Sequence, residues 1–114
     1  MNSDQEKEVA QKLMGLGIQP DIKGYHYLLS AIGILLEEGT FEALNKGITK
    51  YIYPEIAKKY GTTDSRVERA MRHAHEKAFY TTPMWPELFK VKERVTNSSF
   101  LATLTEAIRL KLVS

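Results

Sequence analysis

Six charged or polar side chains between residues 66 and 77 lie outside the apolar stripe of a predicted helix and could contact a ligand. They are Arg66, Glu68, Arg69, Arg72, His73 and Lys77. Guanidinium groups bind phosphate oxygens and guanine edges, and a carboxylate accepts a hydrogen bond from the amino group of cytosine. Glu68 would repel phosphate, so its place among three arginines indicates a base contact or the orientation of a neighbouring arginine. This pattern favours a surface that binds duplex nucleic acid through specific contacts over one that attracts phosphate by charge alone.

The elements that would position this surface form a helix-turn-helix between Pro54 and Tyr80. Ala57 would let the two helices approach closely, and Gly61 can adopt the left-handed conformation that ends a helix. The second helix would be buried through a stripe with three- and four-residue spacing. That stripe consists of Val67, Ala70, Met71 and Ala74. An ordinary helical hairpin with a solvated basic face is the alternative interpretation.

Several segments of the chain form a distinctive series. They are IKGYHYL (22–28), ITKYIYPEIAKKY (48–60), SRVERAMRHA (65–74), TNSSF (96–100) and IRL (108–110). The series resembles the C-terminal DNA-binding effector domain of the sporulation master response regulator of endospore-forming Firmicutes, the stage zero sporulation protein A family. The resemblance covers the chain from about Gly17 onward, and residues 1–16 match nothing distinctive. We expect residues 1–114 to form one all-α domain of about six helices with a helix-turn-helix.

The resemblance also implies residues that contact DNA. Arg66, Glu68 and Arg69, on a recognition helix at 65–79, would read bases in the major groove of boxes related to TGTCGAA. The matching positions that would hold phosphate are Thr63, Ser65, Arg72 and His73. Charge alone adds Lys50, Lys58 and Lys59 as backbone contacts. Two copies would bind in tandem on adjacent boxes.

Aromatic residues cluster around the loop after this helix. They are Phe79, Tyr80, Trp85 and Phe89. They either close a small core over the helix end or form a protein contact, because exposed Trp and Tyr favour interfaces. In the resembling family this region is implicated in contacting the housekeeping sigma factor of RNA polymerase, which here would involve Tyr80, Trp85 and Glu87. The loop TTPMWPELF differs from the residues usual in the family.

Composition limits the remaining classes of protein. The chain has 114 residues and a net charge of +2, but residues 43–81 hold eight basic and four acidic residues, as an electrostatic footprint for DNA should. The chain has no cysteine, which excludes disulfides and cysteine-based zinc sites and fits a reducing cytoplasm. No apolar run reaches the length of a membrane span, and the polar N-terminus is unlike a signal peptide. We therefore expect a cytoplasmic protein without a membrane partner.

Helical patterns account for the rest of the chain. We expect a first helix capped by Ser3 or Asp4 and ending near Met14, and a central core helix at about 22–38. Gly33, inside the central helix, is predicted to permit a close helix crossing.

A further helical segment should begin at Phe41 and be interrupted near Gly47. Pro54 suits the first turn of a helix, so the scaffold helix should begin there. Thr63 or Asp64 would cap the recognition helix. The last helix would be capped by Thr96, Asn97 or Ser98 and packed through Phe100, Leu101, Leu104, Ala107, Ile108 and Leu112.

The residues offer little for metal binding or catalysis. His73 and His75 are two apart on a helix, so they face different directions and cannot chelate one ion, and His26 is distant. We expect His75 at the edge of the core, no metal and no cofactor. A glycine-rich phosphate loop, a nucleophile motif and a carboxylate pair are all lacking, so enzyme function is not expected.

The second hypothesis is a protein-interaction module. Full-length members of the resembling family begin with a phosphoacceptor receiver domain, and this sequence has none. We therefore expect either an expressed fragment or a natural stand-alone effector. A lone domain could antagonise or pair with a full-length regulator, or occupy the sigma factor, with the helix after Asn97 as its dimer surface.

Overall fold

Helices make up all the regular structure in residues 1–81 and 94–113, which the computed structural model describes (the backbone alone for 112–113). The α-helices there are α1 (Ser3–Gly15), α2 (Lys23–Glu38), α3 (Thr40–Asn45), α4 (Tyr53–Tyr60), α5 (Asp64–Thr81) and α6 (Asn97–Val113). A π-helical turn, Ile48–Ile52, leads directly into α4. The predicted all-α class of about six helices is confirmed. Among the described helices, none combines the length and the apolar character that crossing a membrane requires.

Helix α2 lies at the centre of the domain and packs against α1, α3, α4, α5 and α6. Its apolar residues cover much of its circumference, which is typical of a helix surrounded by others. Leu28, Ile32 and Leu35 are fully buried in it. α6 closes the core from the other end of the chain through Phe100, Leu101, Leu104 and Ile108, as predicted. Of the other two predicted residues, Ala107 is partly buried and the side chain of Leu112 lies outside the described residues.

Gly24 makes the close crossing that was predicted at Gly33. A Cβ atom at Gly24 would collide with the carbonyl oxygen of Ala70 and lie 2.9 Å from Cβ of Ala74. A Cβ at Gly33 would meet only the flexible side chain of Met1, at 3.4 Å. The prediction for Gly33 is therefore wrong, and the glycine that brings α2 against α5 lies in the first turn of α2.

The cap of α1 lies one or two residues before the predicted position. Asn2, rather than Ser3 or Asp4, caps α1, because its side chain accepts from the amide of Gln5 at 2.8 Å and the side chain of Gln5 accepts from the amide of Asn2 at 2.9 Å. This reciprocal pair satisfies two amides that would otherwise lack partners.

The chain enters α4 through the π-helical turn. Gly47 has φ of +108°, which favours glycine, and its carbonyl accepts from the amides of both Tyr51 and Ile52. The helix continues without a break into α4, which begins at Tyr53 and holds Pro54 in its first turn. The interruption predicted near Gly47 is present, and the scaffold helix begins one residue earlier than predicted.

Candidate nucleic-acid interface

The turn between α4 and α5 has the geometry that the sequence predicted. Ala57 is buried, and its carbonyl accepts from the amide of Thr62 at 2.9 Å. Gly61 ends α4 in the left-handed conformation, with φ of +62° and ψ of +42°. Thr63 caps α5, because its hydroxyl oxygen accepts from the amide of Arg66 at 3.3 Å. Of the two predicted caps, Thr63 has this role and Asp64 is the first helical residue.

One side of α5 is buried in the domain. Val67, Met71 and Ala78 are fully buried, and Ala74 nearly so. Ala70 is partly buried, and its carbonyl lies where α2 passes closest at Gly24. The helical phase inferred from the three- and four-residue spacing is thus confirmed, and it determines which side chains remain outside.

The outward side of α5 carries the charged residues, as predicted. Arg66, Arg69, His73 and Lys77 are exposed. Glu68 and Arg72 are partly exposed, with 38% and 43% of their side-chain surface accessible. Ser65 and the cap Thr63 are also exposed, at the start of the helix. The structure therefore places the predicted base-reading residues on one accessible surface at the N-terminal half of α5.

Glu68 and Arg72 form an ion pair with each other. Nε of Arg72 lies 2.9 Å from Oε1 of Glu68, one helical turn earlier. Arg72 also lies 3.6 Å from Glu76, and Glu76 lies 3.4 Å from Arg94, just before α6. Of the two roles that the sequence left open for Glu68, orientation of an arginine is present in this geometry. Arg72 would reach a phosphate with its carboxylate neighbours beside it.

The predicted lysine contacts differ in their surroundings. Lys50, Lys58 and Lys59 are all exposed. The ammonium of Lys59 donates to the hydroxyl of Ser30 at 3.1 Å and lies 5.4 Å from the ring centre of Tyr60. That arrangement holds Lys59 against α2, whereas Lys58 has no ion pair within the described residues. Lys58 is therefore the better placed of the two adjacent lysines to meet a phosphate.

A buried polar cluster behind α5 was not foreseen from the sequence. Asn97 is 7% exposed, and its amide contacts His75 at 2.6 Å and the hydroxyl of Tyr53 at 2.9 Å. The same amide nitrogen donates to the backbone carbonyl of Glu68 at 3.2 Å. Thr96 caps α6, because its hydroxyl accepts from the amide of Ser99 at 3.1 Å, and this leaves the Asn97 side chain available for the cluster.

His75 lies deeper than the core edge expected for it. It is 1% exposed, and its ring stacks on that of Phe100 with 5.0 Å between centres. Burial lowers the pKa of His75, although the hydrogen bond to Asn97 acts in the opposite direction. A histidine in phase with Met71 and Ala78 signals a buried polar partner, but the sequence does not say which residue supplies it.

The aromatic cluster after α5 is only partly within the described residues. Tyr80 is 71% exposed and packs edge-on against the partly buried Phe79, with 5.0 Å between ring centres. The other predicted members, Trp85 and Phe89, lie outside the described residues, as does Glu87, which was predicted with Tyr80 and Trp85 as a sigma-factor contact. The exposed ring of Tyr80 is thus accessible to a partner.

The described histidines and carboxylates do not gather into a group that could hold a metal ion. His73 is exposed, whereas His75 is buried and bonded to Asn97. His26 is bonded to the carbonyl of Pro20 at 2.7 Å. The three histidines therefore have separate environments.

Comparison with known protein families gives a match over most of the chain. A family model described as "Sporulation initiation factor Spo0A C terminal" matches residues 9–108. The match includes the whole of α2 to α5. It begins at residue 9, within α1, and so extends further towards the N-terminus than the resemblance predicted from about Gly17 onward.

Proposed function

Because this chain belongs to the family of C-terminal domains of the sporulation initiation factor Spo0A, which are DNA-binding domains of a sporulation regulator, we propose that it binds duplex DNA with sequence preference. The observation that carries the proposal is the accessible row of Arg66, Arg69 and His73 on α5, opposite the buried Val67 and Met71. A helix that packs against the domain through its apolar side, and carries cationic side chains on its exposed side, can enter the major groove.

Base contacts would come from the N-terminal half of α5. Arg66 and Arg69 can donate two hydrogen bonds to a guanine edge, and Glu68 can accept from cytosine if it releases Arg72. The boxes read in this way would be related to TGTCGAA, as the resemblance implies. Glu68 bound to Arg72 would instead present that guanidinium to the DNA at a defined angle.

Phosphate contacts would flank this region. Those expected from the turn and from α5 are Thr63, Ser65, Arg72 and His73. Lys58 would reach the backbone from α4, and Lys50 and Lys59 would add positive charge nearby. Such contacts position a protein on the duplex and strengthen binding at low salt without reading the sequence.

Assembly and location complete the proposal. Two copies would bind adjacent boxes in tandem, in the cytoplasm, and Tyr80 with Trp85 and Glu87 would meet the sigma factor of RNA polymerase. Domains on adjacent boxes raise each other's local concentration, so weak contacts suffice for cooperative binding. Inserting about half a helical turn between boxes would move one domain to the opposite face of the duplex and abolish cooperativity.

The test is a binding-site selection from random duplexes with the isolated domain. We expect enrichment of one short motif whose mutation weakens binding. An interaction module that does not read DNA would instead enrich no motif.

That second function, a protein-interaction module, is favoured by Phe41, which is 74% exposed beside Leu44 and Glu106 in a groove between α3 and α6. Helix α6, the predicted dimer surface, gives this second function less support, because Phe100, Leu104 and other apolar residues of α6 are buried in the core.

A further inference from the structure

One side-chain amide joins both helices of the helix-turn-helix to the C-terminal helix. Asn97 is the first residue of α6, yet it bonds to Tyr53 in α4 and to Glu68 and His75 in α5. The contacted hydroxyl and imidazole belong to residues that are 7% and 1% exposed. The four residues are referred to below as the Asn97 cluster.

The geometry determines how the hydrogens in this cluster are arranged. A backbone carbonyl can only accept, so the Asn97 atom beside the Glu68 carbonyl must be the amide nitrogen. The amide oxygen then faces His75, and Nε2 of His75 must carry the hydrogen that it donates. Nδ1 of the same ring is buried without a hydrogen-bond partner in the described part of the chain, so a neutral ring carries its one hydrogen on Nε2. The cluster is therefore directional, with one arrangement of donors and acceptors.

The carbonyl of Glu68 lies at the level of the predicted base readers. Glu68 is between Arg66 and Arg69 in the chain, so the contact from Asn97 meets the backbone of the segment that carries these side chains. The apolar contacts of Val67 and Met71 hold α5 in the core but are not directional. Hydrogen bonds weaken steeply with misalignment, so those of Asn97 restrict rotation of α5 about its axis.

We propose that Asn97 is the positioning residue that fixes the rotation of α5 relative to α4 and so determines how sharply the domain discriminates between DNA sequences. The consequence for DNA rests on the function proposed above. The positioning itself is a property of the free domain and is measurable without DNA. Ser98 and Ser99, its neighbours in the chain, make no contact of this kind among the described residues.

The test compares Asn97→Ala with Leu104→Ala, a control that removes a fully buried side chain from the same helix outside the cluster. Hydrogen exchange of the free proteins is followed along α5 at a temperature where both are folded. We expect the amides at 67–72, each compared with the amides of α2 in the same variant, to exchange about tenfold faster in Asn97→Ala than in the control, since local opening energies reflect local contacts. Equal exchange of these amides in the two variants would overturn the proposal.

The second measurement is the ratio of affinities for a selected box and a scrambled duplex. We expect Asn97→Ala to lower this ratio about tenfold, which is the discrimination of roughly one base contact, while Leu104→Ala preserves it.

If Asn97→Ala does not fold, Tyr53→Phe removes one of the three bonds while keeping the ring, and a smaller loss in the same direction is expected. Preservation of the ratio in a folded cluster variant would contradict the proposal. Lack of any sequence preference in the wild-type domain would overturn the proposed function, while the exchange measurement would still decide whether Asn97 positions α5.

Discussion

Arg72 donates from Nε to the carboxylate of Glu68, 2.9 Å away and one turn earlier on the same face of α5. Both side chains are partly accessible, and Arg72 also lies near Glu76. The pair holds a guanidinium in a defined direction on the surface that we expect to face DNA. It also lowers the net positive charge of that surface, which favours discrimination over indiscriminate attraction to phosphate.

Replacement of Glu68 by Gln should therefore separate affinity from specificity. We expect stronger binding to a scrambled duplex, because the variant removes a negative charge near the phosphates, and weaker preference for the selected box. Titrations of both duplexes at one salt concentration measure the two effects. The control is Glu55→Gln, which removes an acidic residue from the first turn of α4. An identical result for the two variants would mean that the Glu68–Arg72 pair has no part in reading the sequence.

Arg66→Ala and Arg69→Ala should each cost roughly 1–3 kcal/mol of specific binding and relax the preference at one or two base positions. Both residues are exposed on the N-terminal half of α5. Gel shifts on single-base variants of the selected box would locate the relaxed positions. Equal losses on the selected and scrambled duplexes would make these residues phosphate contacts instead.

Lys58→Ala should weaken binding to all duplexes alike. Its ammonium is exposed on α4, and one fewer phosphate contact reduces the slope of log affinity against log salt by about 0.9. Lys59→Ala is the matched control, since Lys59 is held by Ser30 and should change the slope less. A shift in sequence preference on replacing Lys58 would show that α4 approaches the bases.

Gly24→Ala should destabilise the domain by about 1–3 kcal/mol, the usual cost of overpacking a filled core. The added methyl group would collide with the backbone carbonyl of Ala70, so α2 and α5 must move apart. Gly33→Ala is the matched control: its methyl group meets a flexible side chain at 3.4 Å, and alanine favours the helix by about 0.5–1 kcal/mol. Chemical denaturation measures both, and equal stability of the two variants would contradict the close crossing at Gly24.

The stability of the domain should fall in mild acid because of His75. Burial lowers the pKa of His75 from its ordinary value of 6.5, so the unfolded chain binds a proton more readily than the folded one. The contribution is fully present above about pH 6.5 and is lost as the pH falls below that value towards the folded pKa. The test is to measure the free energy of unfolding of the wild type and of His75→Gln from pH 8 to 5, at intervals of roughly half a pH unit. The wild type should lose more stability than the variant, and parallel curves would exclude His75 as the cause.

The sequence predicted those features that depend on local spacing. The stripe formed by Val67, Met71 and Ala74 determines the phase of α5 without knowledge of its neighbours, and Gly61 marks the turn because its conformation favours glycine. Features that depend on distant partners were missed. Gly24 and Gly33 are both glycines in one helix, and only the path of α5 past Ala70 distinguishes them.

The same limit applies to the polar residues. Three adjacent residues, Asn2, Ser3 and Asp4, can each cap a helix, and only the reciprocal bond with Gln5 selects Asn2. Asn97 was predicted as one of three possible caps. Its bonds to α4 and α5 join residues 22 to 44 positions apart in the chain, which local patterns cannot reveal.

Sequence-specific DNA binding is tested most directly by two affinities of the wild-type domain, both measured at physiological salt. One is for a duplex that carries a TGTCGAA-related box, and the other is for the same duplex with the box scrambled. We predict that the domain binds the box at least about a thousandfold more tightly than the scrambled duplex, the lower end of the range for specific DNA-binding proteins. Equal affinity for the two duplexes would contradict it.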